Sequence, residues 1–312
     1  MSRPWTNMKA EITPLRAVWL AVGVNAFFPI VGFLAAGRIA PPLFALAASV
    51  AGFACFVPWA LRTGAFRLYF RRGLWPRLLV VGFFGSALPI AALVLALRYT
   101  TPADAAALGQ AEAVYTVVLS AVFLRERITP SQLFGTLLVL SGTLLIAFNE
   151  RFTVRWTGDL IALAIPLMYQ VSHLFSKKLP TELSHVFVAS ARALFAALGV
   201  LPLFALGFAM PVVAFEPSLE LLGLVLAAGL VLTALNNVLW YKAIFNMDLS
   251  KATAIVLSYP ALTMLLSQFF GIERVRPYQL AGMAMAMAGA YWVTLLVKRQ
   301  NAAPSGEAGG GA

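Results

Sequence analysis

The chain has 312 residues, of which 61% are hydrophobic and only 11% charged, with a formal net charge of +11 and a mean hydropathy of +0.86. A soluble domain carries about 25% charged residues, and even a large apolar core needs a polar skin. Soluble classes are therefore excluded, and a polytopic membrane protein is expected. The single Cys55 leaves no internal disulfide, and His173 and His185 alone support zinc chemistry poorly. No metal and no cofactor is expected.

A helix needs about 20 mostly apolar residues to cross a bilayer, because lipid offers its backbone no partners. Windows of this kind fall at residues 17–37, 39–61, 78–97, 105–124 and 128–149. A second set falls at 160–176, 186–208, 221–241, 252–272 and 277–297. Glu112 interrupts the fourth window, Arg192 lies in the seventh, and the sixth is short. Residues 1–16 form a short cytoplasmic segment. The first apolar run is long enough to be a retained span rather than a cleaved leader. Residues 298–312 have no apolar periodicity and are expected to be a mobile cytoplasmic tail.

Charge placement orients the spans. With both termini cytoplasmic, sixteen basic residues lie inside, including Arg62, Arg67, Arg71, Arg72 and Arg77 after the second span. Six lie outside: Arg38, Arg98, Arg151, Arg155, Arg274 and Arg276. That bias favours this orientation. The positive charge then serves membrane lipid and topology, and nucleic acid is not expected as a partner.

An internal repeat organises the chain. At an offset of 147 residues, Ala105, Ala107, Thr116, Leu119, Ser120 and Phe123 recur as Ala252, Ala254, Thr263, Leu266, Ser267 and Phe270. The match continues from Glu126, Arg127, Pro130, Gln132, Leu133, Gly135 and Gly142 to Glu273, Arg274, Pro277, Gln279, Leu280, Gly282 and Gly289. These are thirteen identities in 38 gapless positions. Five spans separate the copies, and an odd number reverses their direction. The expected fold is an all-α polytopic membrane protein with ten transmembrane helices as two inverted five-helix repeats, residues 17–149 and 150–297. Such repeats support two related packings, open to either side, and so point to transport.

The repeated unit resembles the EamA-type domain of the drug/metabolite transporter superfamily. The resemblance lies in Ala105-x-Ala107, Phe123-Leu124-Arg125-Glu126-Arg127, Gln132-x-x-Gly135 and Gly142, with a second copy in Phe270-Gly271-Ile272-Glu273-Arg274, Gln279-x-x-Gly282 and Gly289. Tyr259-Pro260 also resembles the family pattern, where the first copy has Glu112-Ala113. The resemblance implies a central pathway for a small organic metabolite in the bacterial inner membrane, with many relatives resembling amino-acid exporters. Cargo does not follow from a shared scaffold.

Glu112 is the most informative polar residue. A bare carboxylate at membrane depth is costly, so it is expected to face a wet cavity, pair with a cation or carry a proton. That makes it the candidate for proton coupling. Tyr115, three positions on, can share its face. Arg192 is the natural counterpart, pairing with Glu112 or with an acidic part of the cargo; the alternative is snorkelling to lipid phosphate.

Asn25, and Tyr169, Gln170 and His173 in the corresponding helix of the second half, either recognise cargo by hydrogen bonds or fasten helices. Adjacent side chains point about 100° apart on a helix, so one of Asn236 and Asn237 can face the pathway while the other meets a neighbour. Trp240 can stack on cargo or belong to an aromatic belt. Tyr259 aligns with Glu112, and Pro260 is a candidate hinge or kink. Glu126, Arg127, Glu273 and Arg274 suit helix-end electrostatics. Gly135, Gly142, Gly282 and Gly289 suit close helix packing.

No nucleophile elbow, redox CxxC or ATP-binding motif is present, so an enzyme is not expected. The favoured function is a secondary transporter exporting a small metabolite such as an amino acid by alternating access. A nucleobase, an organic cation or another drug-like compound is the alternative cargo. A non-transporting membrane scaffold or small-molecule sensor is the alternative class. The residues leave the oligomeric state open.

Overall fold

A computed structural model describes residues 12–35, 38–96, 99, 108–147, 156–205, 217–271 and 276–302. Every regular element among them is helical. Helix α1 (Pro14–Ala26) starts with the Thr13 side chain accepting from the Arg16 amide and with proline in its first turn, both favourable at a helix start. A turn at Phe27 leads into α2 (Phe28–Ala35), and α3 (Pro41–Thr63) stops at Gly64. Gly64 has φ of 70°, a left-handed cap that glycine adopts without a Cβ penalty.

The chain continues through α4 (Ala65–Tyr69), α5 (Trp75–Gly82), a π-helical segment Phe83–Ala87 and α6 (Leu88–Ala96). Then come α7 (Glu112–Leu119), a π segment Ser120–Leu124, and α8 (Pro130–Ala147). The second half holds α9 (Trp156–Lys177), α10 (His185–Ala205), α11 (Leu219–Leu226), a third π segment Ala227–Leu235 and α12 (Asn236–Ile244). It ends with α13 (Leu249–Val256), α14 (Tyr259–Phe269) and α15 (Pro277–Ala302).

Among the described residues, 6 helical stretches are long and apolar enough to cross a membrane: Pro42–Thr63, Trp156–Lys177, His185–Pro202, Leu219–Ile244, Leu249–Leu266 and Pro277–Gln300. Glu112–Leu124 and Pro130–Ile146 are shorter apolar helices. The window 17–37 is divided at Phe27, and 78–97 contains the first π segment. The start of 105–124 falls outside the described residues. Helix α15 runs on to Ala302, so the segment expected as a tail begins as helix.

The two halves interleave. Helix α1 packs on α12, α13 and α14, while α9 and α10 pack on α3, α5 and α6. Tyr69 is fully buried in the common core. Its ring stacks on Phe187 with centroids 5.0 Å apart, and its hydroxyl meets that of Ser190 at 2.8 Å. Large apolar side chains such as Trp156, Leu219 and Phe269 are exposed at 74%, 89% and 83%. That surface is suited to lipid, and the protein is a multi-pass membrane protein.

The most extensive helix contact joins α8 and α15, the fifth expected span of each half. Their repeat glycines meet there. A Cβ on Gly142 would come within 2.4 Å of the Ala286 nitrogen and 2.5 Å of the Gly282 oxygen. One on Gly289 would lie 2.6 Å from the Gly135 oxygen. Backbone meets backbone at this crossing, and a side chain has nowhere to move. Gly142→Ala is expected to destabilise the protein by about 1–3 kcal/mol, the usual cost of overpacking. Gly23→Ala, with nothing within 4 Å, is expected to be neutral or stabilising. Thermal unfolding of both variants in detergent checks the contrast.

Candidate functional site

Two interrupted helices set the site. Helix α7 begins at Glu112 after a turn at Gln110 and Ala111, and α14 begins at Tyr259 after a turn at Leu257 and Ser258. Under the 147-residue offset these breaks coincide. Pro260 lies in the first turn of α14, where its missing amide hydrogen is tolerated. The interruption therefore sits just before Pro260. In the first half the matching position is Ala113, and the break persists without a proline.

A cavity of about 290 Å³ lies against these helix starts. Asn25, Glu112, Tyr169, His173, Arg192 and Tyr259 line it. Asn236, Asn237 and Trp240, all from α12, complete its polar wall. Tyr115 is not part of the lining, because it stands almost one turn further along α7. Gln170 is fully buried and acts behind the wall: its Nε2 donates to Glu112 Oε1 at 2.9 Å. Glu112 also occupies the first turn of α7, where the helix dipole favours a carboxylate.

The direct pair expected between Arg192 and Glu112 is not formed. Arg192 is instead held by the first π segment: Nη2 donates to the Gly85 carbonyl and Nε to the Ser86 hydroxyl, at 2.5 and 3.3 Å. Gly85 leaves room for this approach. A Cβ there would lie 2.6 Å from Ser172 Oγ and 2.9 Å from Arg192 Nε. Among the described residues the cavity thus carries one cation and one carboxylate, each tethered to neutral groups, and the guanidinium has N–H groups beyond these two.

The two neighbouring asparagines of α12 differ in their partners. Both touch the cavity, and Asn236 is also tied to Asn25. Asn25 Nδ2 donates to Asn236 Oδ1 at 3.3 Å, and Asn236 Nδ2 returns a bond to Asn25 Oδ1 at 3.1 Å. His173 and Trp240 face each other with ring centroids 5.0 Å apart. Nδ1 of His173 and Nε1 of Trp240 are buried without hydrogen-bond partners.

Sequence reasoning missed Ser49, Gly85, Ser86 and Thr233, which also line the cavity. Small polar residues inside apolar windows were the available signal, but they carry no charge to single them out. Glu126 lies away from the cavity and accepts from the start of α13, in the opposite half. Arg127 is exposed beside it. Glu273 and Arg274 lie outside the described residues. Among the described residues, no three His, Cys, Asp or Glu side chains converge as a metal site.

The model of the EamA-like transporter family matches residues 11–148 and again 156–295. The chain belongs to that family. Two uncharacterized transporters of Archaeoglobus fulgidus are 23% and 26% identical over 220 and 240 residues, covering 70% and 73% of this chain and 77% and 81% of theirs. A probable terminal-alkyne amino-acid exporter of Streptantibioticus cattleyicolor is 30% identical over 180 residues, 56% of this chain and 58% of its own. One crystal structure shares the fold at a TM-score of 0.76 and 21% identity, covering 92% of this chain and all of the other.

The Asn25–Asn236 pair can be tested directly. A double-mutant cycle with Asn25→Ala and Asn236→Ala is expected to give a coupling of about 0.6 kcal/mol, the average for hydrogen bonds between membrane helices. Unfolding in detergent measures it. A coupling of zero would mean that cavity water satisfies the two amides equally well.

Proposed function

We propose that this EamA-family transporter is a secondary carrier that exports a small organic metabolite, such as an amino acid, by alternating access. In this reading ten spans form two oppositely directed repeats, 17–149 and 150–297, in a bacterial inner membrane with both termini cytoplasmic. The observation that carries the proposal is the cavity between the interrupted helices, where Glu112 and Arg192 are present without being paired to each other. Coincident breaks under the repeat offset support a pathway built from both halves. The amino-acid exporter among the relatives supports the cargo class.

The chemistry suits a dipolar guest. Arg192 offers unspent N–H donors to a carboxylate, and Glu112 offers acceptor capacity to an ammonium group or a proton. Tyr169 and Tyr259 add hydroxyls to that wall, and Asn237 an amide. His173 and Trp240 have unmet hydrogen bonding, and leaving a buried polar group unpaired costs about 1–3 kcal/mol. A polar guest or water reaching them recovers part of that. The exporter among the relatives supports export as the direction.

Reconstitution in liposomes tests the function. Saturable movement of amino acids, nucleobases or organic cations is expected from the folded protein, and binding without net movement would favour a sensor. Arg192→Ala is expected to fold but to weaken half-saturation at least tenfold, equivalent to about 1.4 kcal/mol. Unchanged transport would remove Arg192 from the pathway. Glu112→Gln keeps the Gln170 contact in shape while removing the charge, and it is expected to abolish any acceleration by an imposed proton gradient. If that acceleration survives, Glu112 is not the coupling group.

A further inference from the structure

The cavity lining runs from an exposed residue at one end to a sealed layer at the other. Its wall reaches Phe28, Phe44 and Ala45, and Phe28 is exposed. At the opposite end, beyond Trp240, Val256 and Leu257, lies a layer of buried residues. Tyr241, Ile244, Leu249, Ala252 and Thr253 in that layer have no exposure at all. Any cargo leaving through this end must part α12 and α13 from the elements packed over them.

Two charged side chains clasp the link between those helices. Arg125 takes a left-handed conformation at φ 56°, which ends the π segment and turns the chain. The Glu126 amide returns to the Ser120 carbonyl at 3.2 Å, and the side chain is aimed at the start of α13. Its Oε1 accepts from the Leu249 amide at 2.6 Å. Its Oε2 accepts from the Ser250 amide at 3.0 Å and the Ser250 hydroxyl at 2.6 Å. Gln132 Nε2 completes the group by donating to Ser250 Oγ at 2.8 Å.

Lys177 holds the other side. Its Nζ donates to the carbonyls of Ile244 and Met247, at 2.5 and 2.8 Å, at the end of α12. Anion on amides and cation on carbonyls both match the helix dipoles they face. Lys178 adds a cation over the Phe123 ring, 5.5 Å from its centroid. Glu126 therefore binds the first-half link to the start of α13 across the halves, while Lys177 braces the same turn from within the second half; both sets of contacts are charge-assisted, the stronger kind.

We propose that Glu126 is the latch that keeps this end of the pathway shut, and that its release from α13 accompanies opening on that side. The proposal rests on the alternating-access reading. It gives the repeated Glu-Arg link a task that helix capping within one hairpin does not: the donors to Glu126 belong to a helix of the other half, so the contact is broken only when the halves move apart.

The test reads access rather than transport. In a Cys55→Ser background, Thr253→Cys places a thiol in the sealed layer, and a membrane-impermeant maleimide is applied to vesicles of either orientation. A second reporter, Arg127→Cys, marks the side that carries the link. Glu126→Gln is expected to raise the labelling rate at position 253 about tenfold from that side only. Ser250→Ala, which keeps both backbone donors, is expected to raise it less and in the same direction, and guards against a misfolded Glu126 variant. Labelling at the parental rate in both variants, or an equal rise from both sides, would overturn the latch. Saturable movement by the parent protein is scored in the same vesicles. A parent that moves nothing, yet gains one-sided exposure on Glu126→Gln, keeps the latch and sinks the carrier reading.

Discussion

A membrane interior allows no backbone group to go unpaired, and the rest of this structure depends on that constraint. Regular helix satisfies it everywhere except where protein or water can take over. The irregular backbone is correspondingly concentrated at the cavity. Gly85 and Ser86 come from the first π segment, and Ala228, Leu232 and Thr233 from the third. Glu112, Leu257 and Tyr259 come from the two helix interruptions. A carbonyl from the first π segment is taken by the Arg192 guanidinium. The same distortion that would be costly against lipid thus supplies a ligand for the buried cation.

The electrostatics follow from that tethering. A salt bridge between Glu112 and Arg192 would satisfy both ions and leave a largely neutral wall. Holding each on neutral partners keeps a charge separation across the cavity. Neutral hydrogen bonds compensate a buried charge less completely than an opposite charge does. Under the proposed function the site would gain from a guest that brings the missing charges, and Gly85 leaves room for the cation held this way.

Much of the scaffold was legible because hydrophobic length and internal repetition are properties of sequence. The apolar windows and the 147-residue offset needed no coordinates, and the offset aligned Glu112 with Tyr259 before their shared position at a helix break was visible. Polar residues at membrane depth were legible for the same reason: apolar surroundings make Asn25, His173 and Arg192 conspicuous. Partners were not. Arg192 was matched with Glu112 because opposite charge is the only pairing rule a sequence offers, whereas its actual acceptors are a backbone carbonyl and a serine. Tyr115 was placed on the Glu112 face by helical angle alone. The cavity is confined to the break, and less than a turn removes a residue from it. Glu126 read as an element of its own hairpin because its donors, Leu249 and Ser250, are remote in sequence.

The two halves share a backbone plan and differ in the chemistry it displays. At the helix break the first half presents a carboxylate and the second a phenol followed by proline. Both occupy helix starts, where the dipole favours negative charge, but only Glu112 can supply a full one. A cavity built from two identical half-sites would treat the two ends of its guest alike. Placing Glu112 on one half and Arg192 on the other instead gives the cavity a direction, and under the proposed function a dipolar guest would acquire an orientation relative to both repeats. In the proposed carrier, opening and closing would then act on an oriented cargo, which would permit two similar bundles to handle an asymmetric molecule.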